Sequence, residues 1–430
     1  MVLRTVFITL FLDLVGFSII FPLFPSLLRY YLEREGTVGL LGTVISAIRS
    51  FESMAGASSD IGLAILFGGF LGSLYSLLQF ICAPLLGSLS DRFGRKPVLL
   101  ISITGIAISY LLWFFAGSFR TLVLARLLGG IMSSNISTAT AVVADVTSDT
   151  DRPKGMAVIG IAFGTGFILG PAIGGISAGF NFVDHWPALD TWGVNPFSTP
   201  ALVAFVLSLV NLFFVAVRFP ETRPERPTKP RATRPLNPLR LFRTEAYPGV
   251  SGTNLAYFLF LTTFSGMEFS LTFLAADRLG YGPKGNAVMM IFIGIVLAAM
   301  QGFYVRRHAS EIGPQRMSVR GLLFVIPGLF LVGFSTTTGM LYCGLLFMAV
   351  GSAQVIPCLT AMASLYTPPH DQGRVLGVFR SLGALARAVG PLMACFLYWR
   401  LGPDMAYYVA AVSMVVPAGV VYMLPPPARY

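Results

Sequence analysis

Five ionisable residues stand inside stretches that otherwise read as soluble in hydrocarbon: Asp13, Arg126, Glu268, Arg380 and Arg387. A charged group at the centre of a bilayer costs roughly 2.5–3.5 kcal/mol by insertion scales, so each must face a cavity or another charge. Arg380 and Arg387 are seven residues apart in "VFRSLGALARAVGPLMA". Two helical turns span about 7.2 residues, which puts both on one helix face, about 10 Å apart along the axis. Small neighbours (Ser381, Ala384, Ala388) leave room around them. A guanidinium stays protonated and presents a planar fork to carboxylate or phosphate. Three arginines against two acids leave the region positive, which favours an anionic substrate. The alternative is neutralisation within the protein, by Glu268 or by Asp145. Asp13 and Glu268 are the candidates for proton coupling. A carboxylate that alternates between a desolvated site and one beside an arginine binds and releases a proton. Their alternative roles are an interfacial cap for Asp13 and a structural arginine partner for Glu268. The candidate substrate-binding set is Arg387, Arg380, Arg126, Gln79, Asn135, Asn254, Tyr257 and Gln354, with Gln301 as a further mid-helix polar group. Tyr257, Phe260, Phe264 and Phe269 could supply an apolar wall.

The elements that position these residues are membrane helices. The 430 residues are 55% hydrophobic and 11% charged, with mean hydropathy +0.75. A soluble protein carries about 25% charged residues. Residues 321–369 contain no Asp, Glu, Lys or Arg at all. The net charge of +11 does not indicate nucleic-acid binding, because the basic residues sit in short loops between apolar segments. Cys82, Cys343, Cys358 and Cys395 lie in apolar segments without paired spacing, and read as small core residues rather than disulfides or metal ligands. The three histidines fall in loops or at helix ends, and no phosphate loop or metal cluster is present. Neither an enzyme nor a bound cofactor is expected, the proton being the candidate coupling ion. The apolar N-terminus has no small-residue cleavage site and reads as a spanning helix, not a signal peptide.

Windows of about 20 apolar residues predict twelve spans, near 5–28, 62–87, 97–117, 120–143, 156–180, 199–219, 250–276, 286–305, 320–338, 340–365, 373–398 and 404–425. The stretch "ETRPERPTKPRATRPLNPLRLFR" divides six from six and is too rich in proline for a helix. The expected organisation is an N-terminal bundle (1–219), a linker (220–245) and a C-terminal bundle (246–430). With the N-terminus inside, twenty of the 30 Lys and Arg fall on the cytosolic side, seven on the other, and the rest within helices. This places both termini in the cytosol. An internal repeat joins the halves. "DRPKGMAVIGIAFGTGFILGPAIGG" from Asp151 aligns with "DQGRVLGVFRSLGALARAVGPLMAC" from Asp371, matching Gly170-Pro171 with Gly390-Pro391. The alignment sets Phe167 opposite Arg387, so the arginines are additions to the second half. Repeated halves with a midplane site between them are a transporter architecture.

Four motifs and two C-terminal stretches carry a family resemblance. "GSLSDRFGRK", 87–96, resembles the loop between the second and third helices of the major facilitator superfamily. Gly87 permits close helix approach, and Asp91 is a fixed charge suited to a helix N-terminus or an arginine. Arg92, Gly94, Arg95 and Lys96 complete the loop, and Asp145 is placed to pair with Arg95. In the family this cluster latches the two halves. The second-half counterpart, "GFYVRR" from Gly302, is degenerate. "GTGFILGPAIGG", with Gly166, Gly170, Pro171, Gly174 and Gly175, resembles the fifth-helix motif of the drug:proton antiporter branch. Glycines so spaced make a face for close helix packing, and a proline bends the helix. "LARLLGG" around Arg126 resembles the family's fourth-helix motif, and "LDLVGFSIIFPLFP" around Asp13 the first helix of tetracycline exporters. "FSGMEFSLTFL" and "RSLGALARAVGPL" look most like the animal tetracycline-transporter-like subfamily, described as carrying organic anions.

The resemblance implies an all-α polytopic membrane protein of the major facilitator fold, twelve transmembrane helices in two repeated six-helix bundles. It implies a monomeric, proton-linked transporter of amphiphilic organic anions in the plasma or inner membrane, or alternatively an intracellular one, with the lipid bilayer and a small molecule as its partners. The competing reading is an antiporter of cationic or zwitterionic drugs of the tetracycline type.

Overall fold

The computed structural model describes residues 2–36, 38–54, 60–133, 135–147, 152–222, 247–368 and 372–425. Residues 223–246, which include most of the expected linker, lie outside the described residues, as do Asp151 and Asp371 at the starts of the repeat. Among the described residues, eleven helical stretches are long and apolar enough to cross a membrane. The last, Val375–Tyr422, is broken at Gly402, whose φ of 82° only glycine adopts readily. The break divides it into two spans, which makes twelve.

Span 1 is Val2–Ser18, continued through a 3-10 turn, Phe21–Leu23, into Phe24–Glu35. Spans 2 and 3 are Asp60–Phe93 and Arg95–Phe114, separated by Gly94 alone. Span 4 comprises Phe119–Met132 and Asn135–Val146. Span 5 is Arg152–Ser177 and span 6 is Ser198–Arg218. Span 7 is Val250–Leu279. Span 8 runs as Pro283–Ala299, a π-helical turn Met300–Val305, and Arg306–Ile312. Spans 9 and 10 are Pro314–Phe334 and Thr338–Leu365. Spans 11 and 12 share Gln372–Ser413, on either side of Gly402, and Val415–Tyr422 completes span 12.

Three differences from the hydropathy reading have physical causes. A further helix, Gly39–Met54, lies in the connection after span 1. It is amphipathic, and its buried face (Leu41, Ile45) is too narrow for an apolar window to register. Span 9 starts at Pro314, not near 320, because its first two turns carry Arg316 and Arg320. Such residues suit the interface and lower the local hydropathy. Cys343 is exposed on span 10 and is no core residue, whereas Cys358 and Cys395 are buried; all four cysteines are free.

Small residues set the packing. Cβ atoms at Gly166, Gly170 and Gly174 would overlap Leu14, Ser18 and Ile19 of span 1, and one at Gly175 would overlap Ala287 of span 8. Ser18 Oγ donates across this contact to the Gly166 carbonyl at 3.2 Å. In the second half, Gly390 abuts the Thr262 carbonyl and Gly266 of span 7. Span 5 thus packs on span 1 as span 11 packs on span 7, and the Gly-Pro pair marks the equivalent contact in both halves. On the face away from the basic loops the two halves meet directly. Gly68 and Gly72 of span 2 sit under Phe273 and Phe269 of span 7, and Gly69 sits under Cys395 of span 11. Asn286 Nδ2 of span 8 donates to the Pro22 carbonyl of span 1 at 3.3 Å, and the rings of Phe24 and Phe269 lie 4.9 Å apart.

Overpacking a tight contact costs about 1–3 kcal/mol. Gly170→Val is therefore expected to lower the melting temperature of the detergent-solubilised protein. Gly419→Ala, where no described residue lies within 4 Å of the added methyl, is expected to leave it unlowered; size-exclusion melting curves read both.

Candidate functional site: a cavity between the two bundles

Closure on one face leaves a cavity of about 730 Å³ between the bundles. It opens toward the basic face, where Thr140, Arg306, Ser364 and Leu376 line it. Its walls come from spans 2, 4 and 5 of the first half and from spans 7, 8, 10 and 11 of the second. Most of the lining is apolar, with Ile136, Ile161, Phe167, Phe264, Ile293 and Leu297 prominent. The charged members among the described lining residues are Glu268, Arg306, Arg380 and Arg387.

Arg380 and Arg387 reach the cavity from one face of span 11, as their seven-residue spacing requires. They are close enough for Arg387 to sense the charge of Arg380. Glu268 of span 7 and the Tyr257 hydroxyl also act electrostatically on Arg387. Tyr257 is fixed by stacking on Phe379, ring centroids 3.8 Å apart and planes within 16°. Phe167, the repeat counterpart of Arg387, lines the same cavity from span 5. The two equivalent helices therefore present an apolar ring on one side and a cation on the other. A site with these walls can hold an amphiphile with its acid group toward span 11 and its apolar body toward span 5.

The remaining candidates divide. Gln79 and Gln301 line the cavity, and Gln79 Nε2 donates to the Ser133 carbonyl at 2.8 Å. Arg126, Asn135, Asn254 and Gln354 do not line it. Arg126 is buried in the first bundle, its guanidinium 4.4 Å from the centroid of Tyr75, and Nε and Nη2 have no hydrogen-bond partner among the described residues. Asn135 is fully buried and faces Asp13, itself inside the bundle and away from the cavity lining. Asn254 is fully buried within span 7, and Gln354 Nε2 returns to the Val350 carbonyl of its own helix at 3.0 Å. Of the proposed aromatic wall, Tyr257 and Phe264 line the cavity. Phe260 stacks behind Phe264, and Phe269 belongs to the closed face. Mid-helix position identifies a polar residue within the membrane, but the rotation of its helix decides what it faces.

At the basic face the loop motif is folded as a charge cluster. Arg95 donates through Nε to Asp145 at 2.8 Å, both side chains being at most 2% exposed, and through Nη1 to Asp91 and Ser90 Oγ at 2.6 Å. Arg92 lies over Phe93. Gly87 abuts Ser137 of span 4. Glu221, just after span 6, was outside the sequence-derived set. Its carboxylate accepts from the backbone N–H of Arg95 at 2.8 Å and of Lys96 at 3.1 Å, capping the N-terminus of span 3. Gly94, with φ of 107°, lets that carboxylate approach. The acid's place at the head of the linker, directly after a span, was its only sequence signal.

The profile of the Major Facilitator Superfamily matches residues 6–391 and, again, 309–429. The chain belongs to this superfamily. Major facilitator superfamily domain-containing protein 10 of Bos taurus is 36% identical over 450 aligned residues, covering all of this chain and 94% of the relative. The class B tetracycline resistance protein of Escherichia coli is 27% identical, covering 97% and 95%. The crystal structure of the human organic anion transporter MFSD10 (TETRAN) superposes with a TM-score of 0.78 at 34% identity, over 98% of each chain. A D-xylose–proton symporter, at 16% identity and TM-score 0.72, shares the fold. The chain is thus a multi-pass membrane transporter of a superfamily that moves small molecules.

Breaking a buried ion pair by removing one partner costs about 3–5 kcal/mol, because the other charge stays buried. Asp145→Asn is expected to lower thermal stability markedly. Asp91→Asn, whose side chain is 41% exposed, is expected to lower it far less.

Proposed function

We propose that this superfamily member carries amphiphilic organic anions across a membrane by alternating access, coupled to protons. The observation that supports the anionic substrate class is the cavity itself: three arginines and one acid among its described charged lining residues, set in an apolar wall. That the human relative MFSD10 is an organic anion transporter supports the same class. In this reading Arg387 and Arg380 hold the substrate acid, and Phe167, Phe264 and Tyr257 pack its apolar body. Glu268 competes with that acid for Arg387. When substrate occupies the guanidinium, Glu268 loses its counter-charge and takes a proton; when substrate leaves, the carboxylate regains Arg387 and releases it. Asp13, buried beside Asn135, is the second candidate for proton exchange. The closed outer face and open basic face correspond to an inward-facing state, with both termini in the cytosol and the plasma or inner membrane as its site. Rocking of the halves about the span 5–span 8 and span 2–span 11 contacts would expose the cavity to the other side.

A second reading, export of cationic or zwitterionic drugs, draws on the tetracycline resistance relatives and on the acid at Glu268. Reconstitution into proteoliposomes separates the two. Uptake of an amphiphilic carboxylate is expected to fall at least tenfold in Arg387→Ala, while wild-type rates in that variant would sink the anion reading. Glu268→Gln is expected to abolish the effect of a pH gradient while keeping substrate exchange. Loss of tetracycline flux in this variant, with no carboxylate flux in the wild type, would favour the second reading.

A further inference from the structure

Arg306 lies in the "GFYVRR" stretch that reads from sequence only as a degenerate loop motif, yet it lines the cavity at its mouth. We infer that the π-helical turn of span 8 exists to aim Arg306 into the cavity mouth. There it forms, with Arg380 and Arg387, a graded cationic path that draws anions from the basic face to the midplane.

The geometry of span 8 carries this inference. As far as Gln301 its lining residues, Met290, Ile293, Gly294, Leu297 and Gln301, keep to one α-helical face, and Val305 and Arg306 follow at the π turn. Arg306 is nine residues beyond Leu297. At about 100° per residue an unbroken α-helix would set it about 180° from that face. The helix is not unbroken: Met300–Val305 is a π turn, and the Arg306 N–H donates to the Gln301 carbonyl five residues back. A π turn accommodates one extra residue. Arg306 therefore takes the angular place of a residue four after Gln301, about 40° from it, on the cavity side. Gly302 and Phe303, the residues in the widened turn, are exposed and need no cavity partner. A π turn gives up regular hydrogen-bond geometry, and such turns gather at functional sites.

Position along the cavity supports the grading. Arg306 is exposed at the mouth, Arg380 stands deeper beside Ser381, and Arg387 is next to Glu268. The acid thus sits at the inner end of the path, where the substrate must stop, and the described lining of the mouth holds none. Clefts with low-dielectric walls and one sign of charge concentrate counter-ions. The inference deepens the anion reading above and rests on it for its biological purpose.

The test reads electrostatics without transport. Ser381→Cys is placed in the full-length protein with its four native cysteines changed to alanine, in detergent. Reaction rates are measured with a negatively charged and a positively charged methanethiosulfonate reagent. The anionic reagent is expected to react faster relative to the cationic one. Arg306→Ala is expected to cut that ratio on the order of tenfold, with the difference shrinking as salt is raised. An unchanged ratio in Arg306→Ala overturns the inference. Deletion of Gly302 restores the α register and is expected to cut the ratio as Arg306→Ala does. A folded deletion variant with the wild-type ratio overturns the role of the π turn, and if the deletion does not fold, Arg306→Ala decides alone. A flat ratio with carboxylate transport intact sinks this inference only. A steep ratio without carboxylate transport sinks the anion reading only.

Discussion

Charge is hard to keep inside a membrane, and the rest of this structure is arranged around the few charges it keeps. An isolated ion in hydrocarbon is expensive by several kcal/mol, so each must find a counter-charge, a π face or water. The chain uses all three solutions. Arg95 is buried against Asp145 and Asp91 at the basic face. Arg126 is laid over the ring of Tyr75 inside the first bundle. Arg380 and Arg387 are turned to a cavity, with Glu268 acting on Arg387. The first organises a surface cluster, the second fills a bundle interior, and the third gives one wall of the cavity its cationic side chains.

The cavity itself depends on how closely the helices approach elsewhere. The glycines of span 5 let span 1 lie directly against it, and Gly390 does the same for spans 11 and 7. Because the Gly-Pro contact recurs in both halves, the two bundles share one design. The halves then touch mainly on one face, where Gly68, Gly69 and Gly72 receive Phe273, Cys395 and Phe269. Opposite that seam the bundles diverge, and the divergence is the cavity. The repeat makes the scaffold symmetric, and the substitution of a cation for a ring at one repeated position makes the cavity polar on one side.

Glu221 and the π turn show how context outside a motif completes it. The loop "GSLSDRFGRK" is legible as a string, but the cap on span 3 comes from the start of the linker, 125 residues away from Lys96 in sequence. Likewise "GFYVRR" looks like a decayed copy of that loop, while its last residues carry a cavity-facing arginine. Both were out of reach of pattern reading, because each depends on a contact or a register that no local window contains.

The sequence by itself determined the spans, the repeat and the shared face of Arg380 and Arg387. Apolar length, fixed spacing and the helical period are local properties, and hydrocarbon enforces them segment by segment. It also pointed to Asp145 as the partner of Arg95, since two opposite charges at neighbouring helix ends on one face have few other places to go. Only the tertiary structure decided which mid-helix polar residues meet the cavity. Gln79 and Gln301 do, whereas Asn135, Asn254, Gln354 and Arg126 are turned into bundle interiors. Nearly every helix here is apolar on all sides, so its own sequence carries little preference for one rotation over another. The rotation is set by where neighbouring glycines permit contact, and in span 8 by one extra residue in a turn.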